Sequence, residues 1–246
     1  MLAHRPTAGL VVGATAIMLA AQFSISALND WADREDDRRV GRRRPVAIGV
    51  LPPAAALGVA AVTGVAALLS SFFAFGPRAA GLMILCLASG FAYDLGLKRT
   101  PFSFLPFAVA FPLLLVWSGA VARNDPQLAV VFLAGAPLAA AIHLADTLPD
   151  RVEDAKAGLR TLAVTAGPAL GRLLIGNLLL IGCLVLAAAS AAQWPPLGAI
   201  IVLVEGAGFL AYYRLSEPRR AAGGAERWIP PATAAAITLI WVASLP

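Results

Sequence analysis

Charged residues are scarce in this chain of 246 residues. Asp, Glu, Lys and Arg make up 13% of it, and 59% of its residues are hydrophobic, whereas a soluble domain carries about 25% charge. This shortage excludes an ordinary water-soluble globular protein. Long apolar runs separated by short charged loops instead predict a single integral-membrane domain over residues 1–246.

Cysteine is also rare, and the positive charge is not arranged as in nucleic-acid-binding proteins. Cys86 and Cys183 lie in apolar runs without metal-ligand spacing or an extracellular disulfide pattern, so we interpret both as small core residues. The net charge is +5 and the pI about 9.9. Because the cations lie between apolar runs rather than on one polar face, we expect no nucleic-acid partner. The oligomeric state has no signal in the sequence.

Apolar runs of about twenty residues, long enough to cross a membrane as helices, predict an all-α polytopic bundle of about eight transmembrane helices. The runs begin near Thr7, Val46, Ala79, Phe102, Gln127, Pro168, Pro195 and Trp228. Gly76-Pro77-Arg78 is the turn expected between the second and third runs. Pro112 and Pro137 are expected to kink helices without ending them.

The Lys and Arg residues are distributed unequally between the two sides of such a bundle. If every run crosses the membrane, only Arg5, Arg78 and Arg123 fall on one side. The other side receives sixteen cations: Arg34, Arg38, Arg39, Arg42, Arg43, Arg44, Lys98, Arg99, Arg151, Lys156, Arg160, Arg172, Arg214, Arg219, Arg220 and Arg227. The positive-inside rule therefore predicts a cell-membrane protein whose sixteen-cation side is cytoplasmic and whose termini are both outside.

Twelve of the fourteen carboxylates lie on that same side or at its membrane border, and most form two clusters. The first cluster follows the first run, and helical spacing would place its oxygen ligands along one face; its members are Asn29, Asp30, Asp33 and Asp37. The second cluster follows the fifth run. Its spacing of i, i+4 and i+8 predicts a single stripe on a helix formed by Asp146, Asp150 and Asp154.

Like charges at these spacings repel one another, and carboxylates near a bilayer edge are costly without compensation. Mg²⁺ prefers hard oxygen ligands and is commonly held by one or two carboxylates together with substrate phosphates. The two clusters therefore predict a diphosphate held through Mg²⁺, with Arg and Lys taking up the remaining phosphate charge. The alternative is that both are solvated loop charges that balance neighbouring arginines.

These clusters resemble the signatures of the UbiA superfamily of intramembrane prenyltransferases, of the 4-hydroxybenzoate polyprenyltransferase type. The first signature, Asn-Asp-x-x-Asp-x-x-x-Asp, is matched by Asn29, Asp30, Asp33 and Asp37, with Arg-Pro-x-x-x-Gly following at Arg44, Pro45 and Gly49. The second is matched by Asp150, Asp154, Gly158, Thr161 and Leu162, with Asp146 one turn earlier. Between the two signatures, the family's Tyr and Lys resemble Tyr93, Lys98 and Arg99.

The resemblance implies a helix bundle around a central cavity, in which an allylic isoprenyl diphosphate binds through Mg²⁺ to both Asp motifs. Loss of diphosphate would leave an allylic cation that alkylates a lipophilic, often aromatic acceptor, such as a quinone or pigment precursor. It implies metal ligation by Asp30, Asp33, Asp37, Asp146, Asp150 and Asp154, and catalytic roles for Asp33, Asp150, Tyr93 and Lys98. Diphosphate contacts are expected from Asn29, Arg44, Lys98 and Arg99.

One difference from the family concerns the helix count. Family members usually have about nine helices, with the Asp motifs after helices two and six, whereas here the motifs follow runs one and five. We therefore expect the family's first helix to be absent from this sequence.

Three ionisable residues have both a functional and a structural interpretation. His143 lies three residues before Asp146 and is a candidate diphosphate contact; the alternative is a hydrogen-bonded interior histidine. Glu205 lies inside an apolar run, which makes it a functional candidate or a neutral, hydrogen-bonded helix contact. Asp94 either joins the polar mouth or pairs with Lys98 at i+4.

The cationic and aromatic candidates have alternatives as well. Tyr93 either contacts the diphosphate or the allylic cation, or is an anchor at the membrane interface. Lys98 and Arg99 either bind diphosphate or only determine the topology.

Two other classes of protein compete with a prenyltransferase. A CDP-alcohol-type phosphotransferase would show Asp-Gly followed by Ala-Arg within one acidic motif, and this chain has two separated clusters without that pattern. A transporter or a lipid-binding subunit would place its carboxylates near the bilayer midplane, whereas these clusters follow the apolar runs.

Overall fold

The computed structural model describes residues 7–122, 128–191, 195–215 and 228–243. Within these ranges the regular structure is entirely helical, which confirms the predicted all-α class. The α-helices are α1 (Ala8–Val40), α2 (Pro53–Phe75), α3 (Pro77–Leu95), α4 (Leu105–Ala122), α5 (Leu128–Thr147), α6 (Arg151–Lys156), α7 (Leu162–Ala191), α8 (Pro195–Leu215) and α9 (Ile229–Ala243). A short 3-10 helix (Leu97–Arg99) lies between α3 and α4.

All of these α-helices except the six-residue α6 are apolar, and they lie close to the eight predicted runs. Helices α1, α2, α3, α5 and α7 are long and apolar enough to cross a membrane, and α4, α8 and α9 contain shorter apolar segments. Large apolar side chains remain exposed on these helices, such as Phe73 at 79% and Leu203 at 73%. A surface of this kind suits lipid rather than water, in agreement with a multi-pass membrane protein.

The ends of the helices follow local sequence signals. The Thr7 side chain caps the start of α1, where it accepts a hydrogen bond from the backbone N–H of Leu10 at 3.3 Å. Gly76, at φ 88°, separates α2 from α3 within the predicted turn, and α3 begins at Pro77, slightly before its expected start near Ala79. The second run begins later than Val46, because Pro52 and Pro53 disfavour a helix through the residues before them; α2 starts at Pro53.

Helix α1 is long enough to carry the first motif beyond the membrane. Its 33 residues correspond to about 50 Å, compared with a hydrocarbon core of about 30 Å. Asn29, Asp30, Asp33 and Asp37 all lie in its C-terminal part, so the predicted helical spacing of this cluster is correct. Gly41, at φ 72°, ends the helix in the left-handed conformation.

The predicted single stripe of Asp146, Asp150 and Asp154 is wrong. Helix α5 ends at Thr147, a turn covers residues 148–150, and α6 begins at Arg151. Pro149 explains the break, because it disfavours helical backbone at Leu148 and has no N–H to donate to the preceding turn. The three carboxylates therefore lie on two helices and the turn between them.

Helix α7 also begins earlier than its predicted start near Pro168. It starts at Leu162 and contains a break at Gly167, whose φ of 70° and ψ of 178° are not helical. Arg172, counted among the loop cations from sequence, therefore lies within a helix. Pro112 and Pro137 lie inside α4 and α5 without ending them, as predicted.

The contacts within the chain divide it into two compact units. The first contains α1, α2, α3 and α4 from Leu113 onward. In this unit α1 packs closely on α2, because Gly64 faces Ser24, whose hydroxyl donates to the Ala60 carbonyl at 2.7 Å. Trp117 of α4 is buried and donates its indole N–H to Ser71 of α2 at 3.3 Å.

The second unit contains α4 up to Pro112 together with α5 to α9. Helix α7 is its centre, since it packs against α5, α6, α8 and α9. Gly182 of α7 faces Leu138 of α5 at a distance that leaves no space for a Cβ atom. Cys183 is buried, as predicted, and its Sγ lies 3.7 Å from the Ile201 carbonyl of α8.

Candidate active site

The carboxylates of the first motif are enclosed by cations. Asp30 and Asp37 are buried, at 8% and 4% exposure. Each Asp of the motif lies within ion-pair distance of a cation outside α1: Asp30 of Arg44 at 3.9 Å, Asp33 of Lys98 at 2.5 Å and Asp37 of Arg42 at 3.6 Å. These pairs offset the repulsion that the acids would otherwise exert on one another along one helix.

The segment that follows α1 folds back along the helix. The Gly41 N–H donates to the Arg38 carbonyl at 3.3 Å. The Arg38 guanidinium donates to the Ala47 carbonyl at 3.1 Å, and the neighbouring Val46 is fully buried. Gly49, at φ 78°, has a left-handed conformation that favours glycine. This return brings Arg44 within reach of Asp30.

The end of α3 contributes a second polar contact to the same helix. Asn29 of α1 donates its amide N–H to Asp94 Oδ1 at 2.8 Å. Asp94 is buried at 4% exposure, and in the described part of the chain its Oδ2 has no hydrogen-bond partner. Lys98, which the sequence paired with either the diphosphate or Asp94, forms its ion pair with Asp33. Its ammonium group is enclosed, because only 13% of the side chain is exposed.

Tyr93 and Arg99 flank this contact along the chain. Tyr93 lies in the last turn of α3 and is half-buried, and its carbonyl accepts the Gly96 N–H at 3.4 Å. Arg99 ends the 3-10 helix and is exposed. The predicted contacts of both residues with substrate stay predictions.

The carboxylates of the second motif are more open. Asp146, near the end of α5, and Asp150, directly before α6, are exposed, whereas Asp154 within α6 is half-buried. The Asp150 side chain forms no cap hydrogen bond with α6. The backbone connects two members of the motif, since the Asp154 N–H donates to the Asp150 carbonyl at 2.9 Å.

The Gly and Thr of the second signature shape the connection to α7. Gly158 has φ 77°, a left-handed conformation that ends α6 in a turn. The Thr161 hydroxyl accepts the Val164 N–H at 3.3 Å and so caps the start of α7. Between them, the Arg160 N–H donates to the Arg99 carbonyl at 3.0 Å.

His143 lies in the interior of the second unit. It is buried at 4% exposure, Nε2 lies 3.1 Å from Ser103 Oγ, and the ring stacks on Phe107 with centroids 4.4 Å apart. This environment favours the hydrogen-bonded interior histidine over the diphosphate contact, which stays a prediction. The sequence placed Ser103 in no role, because this residue of the turn before α4 is 40 residues from His143 and only the tertiary structure brings the two together.

The donor set fits Mg²⁺ by its chemistry. In the described ranges no three Asp, Glu, His or Cys side chains are grouped as a metal site. Mg²⁺, however, is usually held by one or two carboxylates, waters and substrate phosphates, and both motifs supply carboxylate oxygens. In the first motif an ion would have to replace the cations that now face Asp30 and Asp33.

The sequence profile of the UbiA prenyltransferase family matches residues 1–243 and so covers both acidic motifs. The chain belongs to this family.

Two curated relatives of the chain are named as an octaprenyltransferase and a farnesyltransferase. The chain is 31% identical over 174 residues to the 4-hydroxybenzoate octaprenyltransferase of Ralstonia nicotianae, a match covering 67% of this chain and 57% of that protein. It is 33% identical over 171 residues to the protoheme IX farnesyltransferase of an Anaeromyxobacter species, covering 65% of this chain and 55% of the relative. The chain thus spans about half the length of the curated relatives that it matches.

Solved structures agree on the fold. A digeranylgeranylglyceryl phosphate synthase has a TM-score of 0.77 and 14% identity, over 98% of this chain and 87% of the other. The apo structure of a UbiA homologue from Aeropyrum pernix K1 has a TM-score of 0.73 and 17% identity, over 97% and 90% of the two chains. At these identities the likeness concerns the UbiA fold alone.

The sequence left two interpretations of Asp94 open, a place in the polar mouth or a pair with Lys98 at i+4. It had a local signal, because it adjoins Tyr93 and lies four residues before Lys98. The partner that the structure gives it, Asn29, is 65 residues away in sequence. Only the packing of α3 on α1 brings the two side chains together.

Proposed function

We propose that this UbiA-family protein transfers an isoprenyl group from an allylic isoprenyl diphosphate to a lipophilic, aromatic acceptor within the membrane. In this reaction the bond between the allylic C1 and the diphosphate oxygen breaks, and its electron pair leaves with the diphosphate. A nucleophilic atom of the acceptor then forms a bond to C1 and the acceptor loses a proton. The family membership favours this reaction over a phosphotransferase or a transporter.

The observation that carries the proposal is the meeting of α1 with the end of α3. Asn29 and Asp33 of the first signature contact Asp94 and Lys98, which both belong to the Tyr-x-x-x-x-Lys segment that begins at Tyr93. Carboxylates and an enclosed ammonium group at the end of apolar helices suit a diphosphate whose tail remains in the membrane. In the proposed complex, Lys98 exchanges part of its contact with Asp33 for a phosphate oxygen.

The match to the UbiA family profile supports a role for the second motif in the same reaction, because it spans residues 1–243 and so includes both motifs. The open carboxylates of Asp146 and Asp150 are accessible to an incoming ligand. We assign the binding of the diphosphate to both motifs, with Asn29, Arg44, Lys98 and Arg99 as further contacts.

Mg²⁺ is the proposed cofactor. The carboxylates that would hold it are those of the two motifs: Asp30, Asp33, Asp37, Asp146, Asp150 and Asp154. When bound, the ion would offset the charge that develops on the departing diphosphate. We assign to Tyr93, which is half-buried in the last turn of α3, the role of facing the allylic cation with its ring.

The first experiment is a transfer assay on membranes that contain the full chain. Radiolabelled geranyl, farnesyl and geranylgeranyl diphosphates are each offered with 4-hydroxybenzoate, with protoheme or with no added acceptor. We expect Mg²⁺-dependent product that is lost with Asp33→Asn and with Asp150→Asn. Asp36→Asn is the matched control, because this acid on α1 is half-buried, pairs with Arg39 at 3.5 Å and is outside the motif.

The controls separate the parts of the proposal. Full wild-type activity in excess EDTA would refute the metal assignment. Absence of product with every diphosphate, in membranes that contain correctly folded protein, would refute the transfer reaction. Product with only one acceptor would identify the acceptor class.

We further propose that both motifs face the cytoplasm. The test introduces a single cysteine at the exposed Glu153, with Cys86 and Cys183 replaced by alanine. A membrane-impermeant maleimide should label this cysteine in inverted vesicles and not in intact cells. The opposite pattern would reverse the orientation.

A further inference from the structure

A cavity outside the candidate active site lies between α7 and α8. Its volume is about 790 Å³, within the range of about 300 to 1,000 Å³ that is typical of small-molecule sites. Its walls are mainly apolar, and its polar members include Arg172, Asn177 and Glu205. No residue of either acidic motif lines it, so this cavity is distinct from the site proposed for the diphosphate.

Glu205 is the unusual member of this lining. It is the middle residue of α8 and is buried at 3% exposure. Neither carboxyl oxygen has a hydrogen-bond partner in the part of the chain that the structure describes. An unsatisfied buried polar group costs about 1 to 3 kcal/mol, and intramembrane acids usually face a functional cavity. A ligand in the cavity would therefore supply the hydrogen-bond partner that the Glu205 carboxyl lacks.

The neighbouring polar groups do not supply that partner. The Asn177 amide N–H donates to the Leu173 carbonyl of its own helix at 2.8 Å. The Cys183 thiol lies 3.7 Å from the Ile201 carbonyl of α8. Both side chains line the cavity, but each hydrogen-bonds to the backbone.

Arg172 provides a cation towards the start of α7. It lines the same cavity, and in the described ranges it forms no ion pair. The antiparallel packing of α7 on α8 sets Gly176 against Phe209 and Cys183 near Ile201, so Glu205 lies level with residue 180 of α7. Eight residues of helix separate that level from Arg172, which corresponds to about 12 Å.

We propose that this cavity binds an anionic single-chain lipid that carries a hydroxyl group part-way along its chain. The anionic head group pairs with Arg172 near the start of α7. The hydroxyl group hydrogen-bonds to Glu205, about 12 Å deeper, and the apolar chain fills the remaining space against residues such as Leu180 and Val202. The Glu205 carboxyl oxygens, which have no hydrogen-bond partner in the described residues, accept the hydrogen bond that the hydroxyl donates.

The test measures binding of radiolabelled fatty acids to the purified full chain in detergent. The probes are 12-hydroxyoctadecanoate, 2-hydroxyoctadecanoate and octadecanoate. We expect 12-hydroxyoctadecanoate to bind about tenfold more tightly than the other two, the effect of one additional buried hydrogen bond. Glu205→Leu should remove this preference and leave the binding of octadecanoate unchanged. Arg172→Gln should weaken the binding of all three probes.

Ser190→Ala is the matched control. Ser190 also lies on α7 and has a buried hydroxyl oxygen without a hydrogen-bond partner in the described residues, but it does not line the cavity. This variant should bind all three probes like the wild type. Equal binding of the three probes by the wild type, or an unchanged hydroxyl preference in Glu205→Leu, would overturn the proposal.

Such a lipid could come from the bilayer or be a substrate of the chain. Mass spectrometry of lipids that co-purify with the chain, before and after incubation with isoprenyl diphosphate, distinguishes the two sources. An unchanged hydroxylated lipid identifies a resident membrane lipid, and its prenylated form identifies an acceptor. The binding assay itself contains no isoprenyl diphosphate, so its failure is separable from a failure of the transfer reaction.

Discussion

The two acidic motifs have the same residue type but opposite environments. In the first, the acids lie on one continuous helix, two of them are buried, and each is within ion-pair distance of an Arg or Lys. In the second, the acids are spread over the end of α5, a turn and α6, and two of the three are exposed. The first motif is thus held in place by the protein itself, whereas the second is accessible to an incoming ligand.

This difference shows that the negative charge of the acids can be compensated in two ways, either by Lys and Arg side chains of the chain itself or by water and an incoming ligand. Buried acids require partners for the chain to fold, so Lys98, Arg42 and Arg44 belong to the stability of the first motif as well as to its chemistry. Exposed acids are hydrated and contribute little to stability. Substitutions in the two motifs should therefore affect activity alike and stability differently.

The largest effects are expected from one Asp→Asn substitution in each motif, and these variants separate activity from stability. Asp33→Asn and Asp150→Asn should each lower the transfer rate by about 100-fold or more, the size typical of a lost charge stabiliser in a transition state. Asp33→Asn should also lower the unfolding free energy by about 1 to 3 kcal/mol, because Lys98 loses its enclosed partner. Asp150→Asn should leave it within about 0.5 kcal/mol. SDS titration in mixed micelles, followed by circular dichroism, measures the stability; equal destabilisation by both variants would contradict the comparison.

The next effect concerns the cation that contacts the first motif. Lys98→Met leaves Asp33 without its partner and should lower the transfer rate by about tenfold or more. The control is Lys156→Met, since this lysine in the last turn of α6 is exposed. The transfer assay measures the activity of both variants, and the SDS titration measures their unfolding free energy. A larger effect of Lys156→Met on either quantity would show that the second motif is the one that depends on a protein cation.

A smaller effect tests the link between Asn29 and Asp94. Asp94→Leu removes the acceptor of the Asn29 amide, and we expect a loss of about 1 to 3 kcal/mol in unfolding free energy. Asp94→Asn keeps an oxygen that accepts the same hydrogen bond and should cost less than about 1 kcal/mol. If the two variants are equally stable, the hydrogen bond does not hold α3 to α1.

The smallest effect concerns the backbone of the second motif. Gly158→Ala places a side chain at φ 77° and should lower the unfolding free energy by about 1 kcal/mol from backbone strain alone, because nothing lies within 4 Å of the new Cβ. Gly58→Ala in α2 is the control, since it also meets open space but has helical backbone. The control should not lower the SDS midpoint. A destabilised control would contradict the attribution of the Gly158→Ala effect to strain at a positive φ.

Much of the fold could be predicted, because its signals are local. Run length and hydropathy determine which segments become apolar helices, and Gly76-Pro77 ends one helix and begins the next. The break after α5 had a local signal too, since Pro149 lies within the proposed stripe. Helical periodicity alone placed the three acids on one face, but the proline takes precedence because its ring and missing N–H interrupt the helix.

The partners of the site residues could not be predicted in this way. The sequence grouped Asp33 with the other acids, but its cation, Lys98, is 65 residues away. His143 adjoined the second motif in sequence, yet its ring is enclosed by Ser103 and Phe107. Such contacts depend on which faces of distant helices pack together, and no local pattern determines that.

The sequence by itself determined that this is a membrane-embedded helical protein with two acidic motifs, because hydrophobic run length and motif spacing are properties of neighbouring residues. The tertiary structure alone decided which acids are paired and which remain open, and that Glu205, in a cavity between α7 and α8, has no hydrogen-bond partner among the described residues. The physical reason is that burial and ion pairing arise only when separate helices come into contact, and their energies depend on distances that the order of residues does not contain.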